Sequence, residues 1–239
     1  SSGRNTKLSK LPFYFSVDLE DLYYDTNRRL GNPNPTFKLL AVRKSYEILN
    51  EYSDRYFLGR RMTFFVTAVL AREAPDLIKR IYDDGHEIAC HYNFHDNIDN
   101  ENAKSFGANL DIAIETLHSI TGEKPVGFRA PNFAISNNNT ANYQELAKRF
   151  KYDSSYKTSE RKSKIFENGE FIFGNNSLKE FCVYSMPYAF NKIKIRTGGT
   201  FLRLFPVNLT IKAMKQAYQK QHAPILYLHP YDVLTKREF

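Results

Sequence analysis

Apolar residues along the chain fall into short runs separated by stretches of helical spacing. "LPFYFSVDLED" at 11–21 is a β-rich run that ends abruptly in acids. In "DTNRRLGNPNP" a glycine and two prolines exclude a continued strand or helix. Thr36 then reads as the cap of a helical pattern in which Leu39, Leu40, Tyr46, Ile48 and Leu49 recur. "MTFFVTAVL" predicts a buried strand, and "REAPDLIKRIYDDG" a short helix with Pro75 in its first turn and Gly85 past its end. "HEIAC" is a strand, and the helix after it runs through "NAKSFGANLDIAIETLHSITG" to Gly122. The alternation continues with strand "PVGFRAP", helix "TANYQELAKRF" and strand "KYDSS". Residues 156–177 are polar and irregular and read as a surface excursion. "KEFCVYSMP", "KIRTGGTFLRLFP", a helix near 207–221 and a final strand "APILYLHP" complete the chain.

Strands alternating with helices predict a mainly parallel α/β architecture, and about seven such units favour a (β/α) barrel over an open sheet. No spacer rich in Gly, Pro or Ser divides the 239 residues, so the expectation is a single domain over 1–239, with 1–10 a tag remnant or disordered start. The 42% apolar and 25% charged fractions are those of a globular chain. The first dozen residues lack the apolar stretch of a secretory signal, and the expected location is cytoplasmic. Cys90 and Cys182 cannot form a disulfide framework and read as buried small hydrophobes.

The formal net charge of +8 points to three classes of partner: nucleic acid, an anionic membrane surface or an acidic substrate. The basic residues come as scattered pairs without a nucleic-acid motif, so no nucleic-acid partner is expected. Peripheral association with an anionic membrane surface stays open.

Unusual polar residues follow the apolar runs. Asp18 and Glu20 close the first strand, His91 follows "HEIAC", Arg129 closes "VGFR", Asp153 follows "KY", and His229 ends "ILYL". In a parallel barrel these strand ends share one rim, and burying such groups without partners is costly, so convergence on one pocket is expected. His91 and His95, four apart, would lie on one side of a helical turn and could bind one cation of the zinc type together with a carboxylate. His86 opens a strand and reads as a hydrogen-bonded structural residue.

In order along the chain, "SVDLED", "TFFV", "GHEIACHYNFH", "FRAP", "YDSS" and "LYLHP" resemble the motifs of the polysaccharide deacetylase family, the NodB-homology group of carbohydrate esterase family 4. The histidine motif, GHEI-x-x-H-x-x-x-H, is the most specific of these. The resemblance implies a distorted (β/α) barrel of about seven parallel strands. It also implies a metal-dependent hydrolase that removes acyl groups, usually acetyl, from the nitrogen of amino sugars. The ion would be a single divalent one, zinc first, with cobalt, nickel or manganese as alternatives.

By the same resemblance His91 and His95 are metal ligands and Asp18 is the general base. Most members carry an aspartate ligand immediately after the base, but here Leu19 stands in its place. The ligand is then Glu20 or Asp21, and alternation along a strand puts Glu20, not Asp21, on the face of Asp18. A first motif of the form D-x-[D/E] resembles one branch of the family, as do "GGTFLRLFP" and "FRAPNFAIS". The remaining implied roles are Arg129 holding Asp18, His229 protonating the leaving nitrogen, and Asp153 or Asp232 orienting His229. Pro131, Asn132 and Phe133 would meet substrate, with backbone amides near Asn132 and Phe133 at the oxyanion. The implied substrate is an N-acylated sugar, nucleotide-linked, lipid-linked or an oligosaccharide. Removal of a formyl group and a carbohydrate-binding protein without catalysis are the alternatives.

Overall fold

The computed structural model describes residues 12–56, 61–159, 162, 164–167, 169–174, 176–190 and 192–235. In chain order the elements are β1 (Tyr14–Leu19), α1 (Leu22–Arg29), α2 (Leu39–Tyr56), β2 (Thr63–Val66), α3 (Ala68–Glu73), α4 (Pro75–Asp83), β3 (Glu87–Cys90), α5 (Ala103–Thr121), β4 (Gly127–Phe128), α6 (Thr140–Ala147) and β5 (Tyr152–Asp153). They continue with β6 (Phe166–Glu167), β7 (Glu170–Phe173), β8 (Asn176–Glu180), β9 (Ser185–Tyr188), β10 (Ile193–Arg196), α7 (Thr200–Leu204), α8 (Val207–Gln219), β11 (Ile225–Leu228) and α9 (Pro230–Val233).

One sheet has the order β11-β1-β2-β3-β4-β5-β8-β7-β6, and β9 and β10 form a separate antiparallel hairpin. From β11 to β8 every pairing is parallel, which gives seven parallel strands. The sheet curls: Ser16 on β1 meets Arg129, just past β4, at 2.9 Å, although β2 and β3 lie between those strands. This is the distorted α/β barrel expected from the alternation of elements.

Register places the chemistry. Val17 pairs with Leu228, Asp18 with Phe65, Val66 with Cys90, Cys90 with Phe128 and Phe128 with Asp153. The residues that follow these partners therefore emerge at one rim. The outward side chains of the same strands, Val17, Leu19, Phe64, Val66, Ile88, Cys90 and Phe128, join the principal core beneath the helices. Below Arg129, towards the opposite rim, Tyr14, Phe65, Tyr152 and Phe181 enclose a cavity of about 140 Å³. The two cysteines are buried and unbridged.

Four local expectations are corrected. Only Thr63–Val66 of "MTFFVTAVL" is strand, and Ala68–Glu73 turns into α3. "DTNRR" lies within or at the end of α1, whose backbone is stopped beyond Arg29, where Gly31 takes φ 83°. Thr36 is not the cap of α2, which begins at Leu39. The stretch 156–177 is no simple excursion: it contains β6, β7 and the start of β8, of which β8 joins the sheet parallel to β5 while β7 and β6 extend it antiparallel, and Phe166 and Phe171 pack on its core.

Candidate active site

At the end of β1 the backbone alternates inside and outside the barrel. Asp18 points in, Leu19 is fully buried in the outer core, and Glu20 points in again. Asp21 is spent elsewhere: its Oδ1 caps α1 by accepting the Tyr24 N–H at 3.0 Å, and its Oδ2 accepts the Lys38 N–H at 2.5 Å. Of the two acids, Glu20 is the one that reaches the histidines.

Glu20, His91 and His95 are buried and offer ligand atoms that all lie within 4.8 Å of one another. Glu20 Oε2 lies 3.8 Å from His91 Nε2 and is in direct contact with His95 Nε2. The pair does not sit on a helical turn as its spacing suggests. The chain leaves β3 at Cys90 in an irregular segment, with Tyr92 at φ 73°, that folds His95 back beside His91. His91 Nδ1 lies 2.8 Å from the Arg129 carbonyl. A carbonyl only accepts, so Nδ1 carries the hydrogen and Nε2 turns its lone pair towards Glu20. Burial opposes the charge on Glu20, but the charge on His95, the nearness of both imidazoles and the more distant His229 outweigh it and hold the carboxyl below its usual range. Burial likewise opposes the charge on His95, and Glu20 raises it. Yet Glu20 Oε2 accepts no well-formed hydrogen bond among the described residues. One carboxylate and two imidazoles, dry and pointed at a common position, fit a divalent cation of the zinc type.

Beside this trio Asp18 accepts from Arg129 Nη1 at 2.7 Å, and both side chains are almost fully buried. Arg129 is held from three sides: Nη1 also donates to Ser16 Oγ at 2.9 Å, Nη2 to Ser154 Oγ at 3.0 Å, and Phe65 lies against its plane at 4.1 Å. The other Asp18 oxygen is 3.9 Å from His229 Nε2. His229 Nδ1 and backbone N–H both reach Asp232 Oδ2, at 3.0 and 2.8 Å, and the ring stacks on Tyr231 at 4.8 Å. Burial disfavours the imidazolium, but the Asp232 hydrogen bond and the carboxylates of Glu20 and Asp18 raise His229 to about 9.

Asp153 is not the partner of His229, because its carboxylate turns the other way. It accepts from Ser155 Oγ at 2.7 Å and pairs with buried Glu180, whose burial and whose proximity to Asp153 push its pKa well up. Ser155 Oγ in turn accepts the Ala130 N–H at 2.8 Å. The peptide whose carbonyl orients His91 is thus fixed at its other end by Ser155 and Asp153. In the turn Pro131–Phe133, Asn132 is exposed while Pro131 and Phe133 are buried. The Phe133 N–H donates to the Ala130 carbonyl at 2.9 Å, which removes it as an oxyanion donor and leaves the Asn132 amide. His86 is structural: its ring accepts the Met62 N–H and meets Asn50 at 3.0 Å.

Asp25, on α1, is absent from the residues picked out of the sequence. It is buried near His95, and burial, partly offset by the His95 charge, raises it to about 7. No signal marked it, since its segment reads as a turn.

A sequence model for polysaccharide deacetylase matches residues 42–153, and one for a domain of unknown function, DUF3473, matches residues 146–237. The peptidoglycan deacetylase-like protein FGM2 of Gibberella zeae is 32% identical over 102 residues, covering 43% of this chain and 30% of that protein. The peptidoglycan-N-acetylmuramic acid deacetylase PdaA of Bacillus subtilis is 37% identical over 62 residues, 26% of this chain and 24% of its own length. This chain therefore spans less than a third of either curated relative. In fold it is similar to the crystal structure of an assigned polysaccharide deacetylase from Mycobacterium smegmatis, with a TM-score of 0.60, 21% identity and coverage of 93% of this chain and 79% of that one.

Proposed function

We propose that this chain, which the polysaccharide deacetylase model matches over residues 42–153, is a polysaccharide deacetylase of the NodB-homology group of carbohydrate esterase family 4 and hydrolyses the N-acetyl amide of an amino sugar in surface-polysaccharide or cell-envelope assembly. The observation that carries the proposal is the junction of two groups of side chains at one rim: Glu20, His91 and His95 beside Asp18, Arg129 and His229.

Glu20, His91 and His95 would hold one divalent ion, zinc in the first place. When bound, such an ion polarises the acyl carbonyl and eases ionisation of water. Asp18 then takes a proton from the attacking water. Arg129 prepares it for this by fixing one oxygen and leaving the other towards the cleft. His229 donates from Nε2 to the departing nitrogen, while Nδ1 stays engaged with Asp232. The carbon–nitrogen bond breaks, oxygen from water joins the acyl carbon, and acetate and a free amine leave. The Asn132 amide, in the loop after Arg129, would meet the oxyanion.

Glu20 supports this reading over a binding protein without catalysis, because it supplies the carboxylate that Leu19 cannot. The test is release of acetate from N-acetylated nucleotide sugars, glycolipids and chito-oligosaccharides by zinc-loaded protein, with formate measured in parallel. Release by the native chain and its loss in His91→Ala and Asp18→Asn are expected. No acyl release from any of these, with the ion demonstrably bound, overturns the proposal.

A further inference from the structure

The charge of the chain is not spread evenly. Residues 181–231 contain seven Lys and Arg and no Asp or Glu, so the rest of the protein carries 27 basic against 26 acidic residues. Nearly the whole excess belongs to the segment that forms β9, β10, α7, α8 and β11.

The same segment is apolar on its outer surface. Tyr188 and Ile193 are paired across the hairpin, on the face that α8 covers further along at Met186 and Ile195. At Tyr188 and Ile193 that cover is incomplete, and beyond them the ring of Phe190 is fully exposed at the tip. Leu204 on α7, and Val207 and Ile211 on the first turns of α8, are exposed as well. Tyr188 and Phe205 touch edge to face at 6.3 Å and join the hairpin to the helices. Lys192, Lys194, Lys212 and Lys215 stand among these side chains in the chain.

This surface adjoins the catalytic rim. Gly199, the N-terminal cap of α7, lies against the ring of His229, and Arg203 of α7 donates to the Tyr231 carbonyl at 3.4 Å.

We propose that the tip of the β9–β10 hairpin, α7 and the start of α8 dock on an anionic lipid bilayer, with Phe190, Leu204, Val207 and Ile211 entering the interface. Exposed aromatic and aliphatic side chains interleaved along the chain with lysines, in a segment that carries no acid to repel phospholipid headgroups, are the composition that binds such a surface. A nucleic acid or other polyanion would use the lysines and leave the apolar side chains idle. Resting on the deacetylase reading, the consequence for substrate is that the amino sugar is lipid-linked and enters the cleft from the bilayer beside it.

The experiment is co-sedimentation of the full chain with phosphatidylglycerol-containing and pure phosphatidylcholine vesicles. Binding to the first, weaker by about tenfold or more with the second, is expected. Phe190→Asp with Leu204→Asp, and separately Lys192→Glu with Lys212→Glu, are each expected to weaken it by about tenfold, with melting temperature and hydrolysis of a soluble N-acetylated sugar unchanged. No binding to phosphatidylglycerol vesicles at low salt, or binding that the Phe190 and Leu204 pair does not weaken, overturns the proposal. Vesicle binding with this dependence in a protein that deacetylates nothing upholds the surface and removes only the reading of the active site.

Discussion

His229 and Asp232 are joined twice: both the ring Nδ1 and the backbone N–H of the histidine reach the same carboxylate oxygen. The bond keeps hydrogen on Nδ1 and favours the imidazolium, which is the form a proton donor needs. His229 rises to about 9, so deacetylation should fall as pH climbs through that region. A bound ion shields Glu20 and removes part of its pull, so the alkaline limb of the loaded enzyme should lie somewhat below 9. In Asp232→Asn the limb moves to lower pH still, by about one unit or more. A kcat profile against pH checks this, and an unmoved limb would separate Asp232 from the protonation of His229.

Glu20 and Asp21 are neighbours with different work, and substitution separates them. Glu20→Ala should abolish stoichiometric zinc in metal analysis, and it should also lower the melting temperature of the metal-free protein, because buried His95 loses its ion-pair partner. Asp21→Ala should retain zinc and lose about 1 kcal/mol of stability with the cap of α1.

Placing the acid back where most relatives carry it should fail. Leu19 faces the core between sheet and helices and is fully buried. Leu19→Asp would strand a carboxyl there, at a cost of several kcal/mol, without bringing it near His91. Loss of soluble folded protein is the expected result, and a folded variant with raised zinc affinity would contradict the placement of this side chain.

The carboxyl pair formed by Asp153 and Glu180 predicts a stability effect. Both are raised, chiefly by burial, and for Glu180 also by its neighbour. A carboxyl raised in the folded state stabilises fully below its unfolded pKa, and that stability is lost as pH rises through the folded value. Glu180→Gln keeps a neutral partner and should flatten the decline of the melting temperature as pH rises above the ordinary carboxylate range. Ser155→Ala frees the Ala130 amide from this pair and should weaken zinc binding by about tenfold through the loosened carbonyl at His91.

The strand ends were legible because parallel register turns a sequence of motifs into one rim. Asp18, Glu20, His91, Arg129 and His229 each follow an apolar run, and the structure gathers them. Where the reading failed, the deciding contacts were tertiary. "TAVL" is apolar enough for a buried strand or a buried helix, and only the packing of α3 on α5 selects helix. Asp153 and Asp232 were both eligible to hold His229, and the choice falls to Asp232, which α9 brings back from three residues away. Asp25 was hidden because Gly31 and the prolines after it punctuate the chain past the end of α1, not within it. The strands β6 and β7 sit at a sheet edge with one face exposed, so their apolar pattern is sparse.

Gly199 limits how this cleft can change. A Cβ there would come 2.9 Å from His229 Cε1, on a backbone at φ +55° that side chains rarely adopt. One wall of the acid is therefore main chain, which has no rotamers to exchange. The imidazole arrives already aimed, with little orientational freedom to surrender during turnover. Selection for a new sugar must work through the loops facing that wall, because the wall itself has no alphabet beyond glycine.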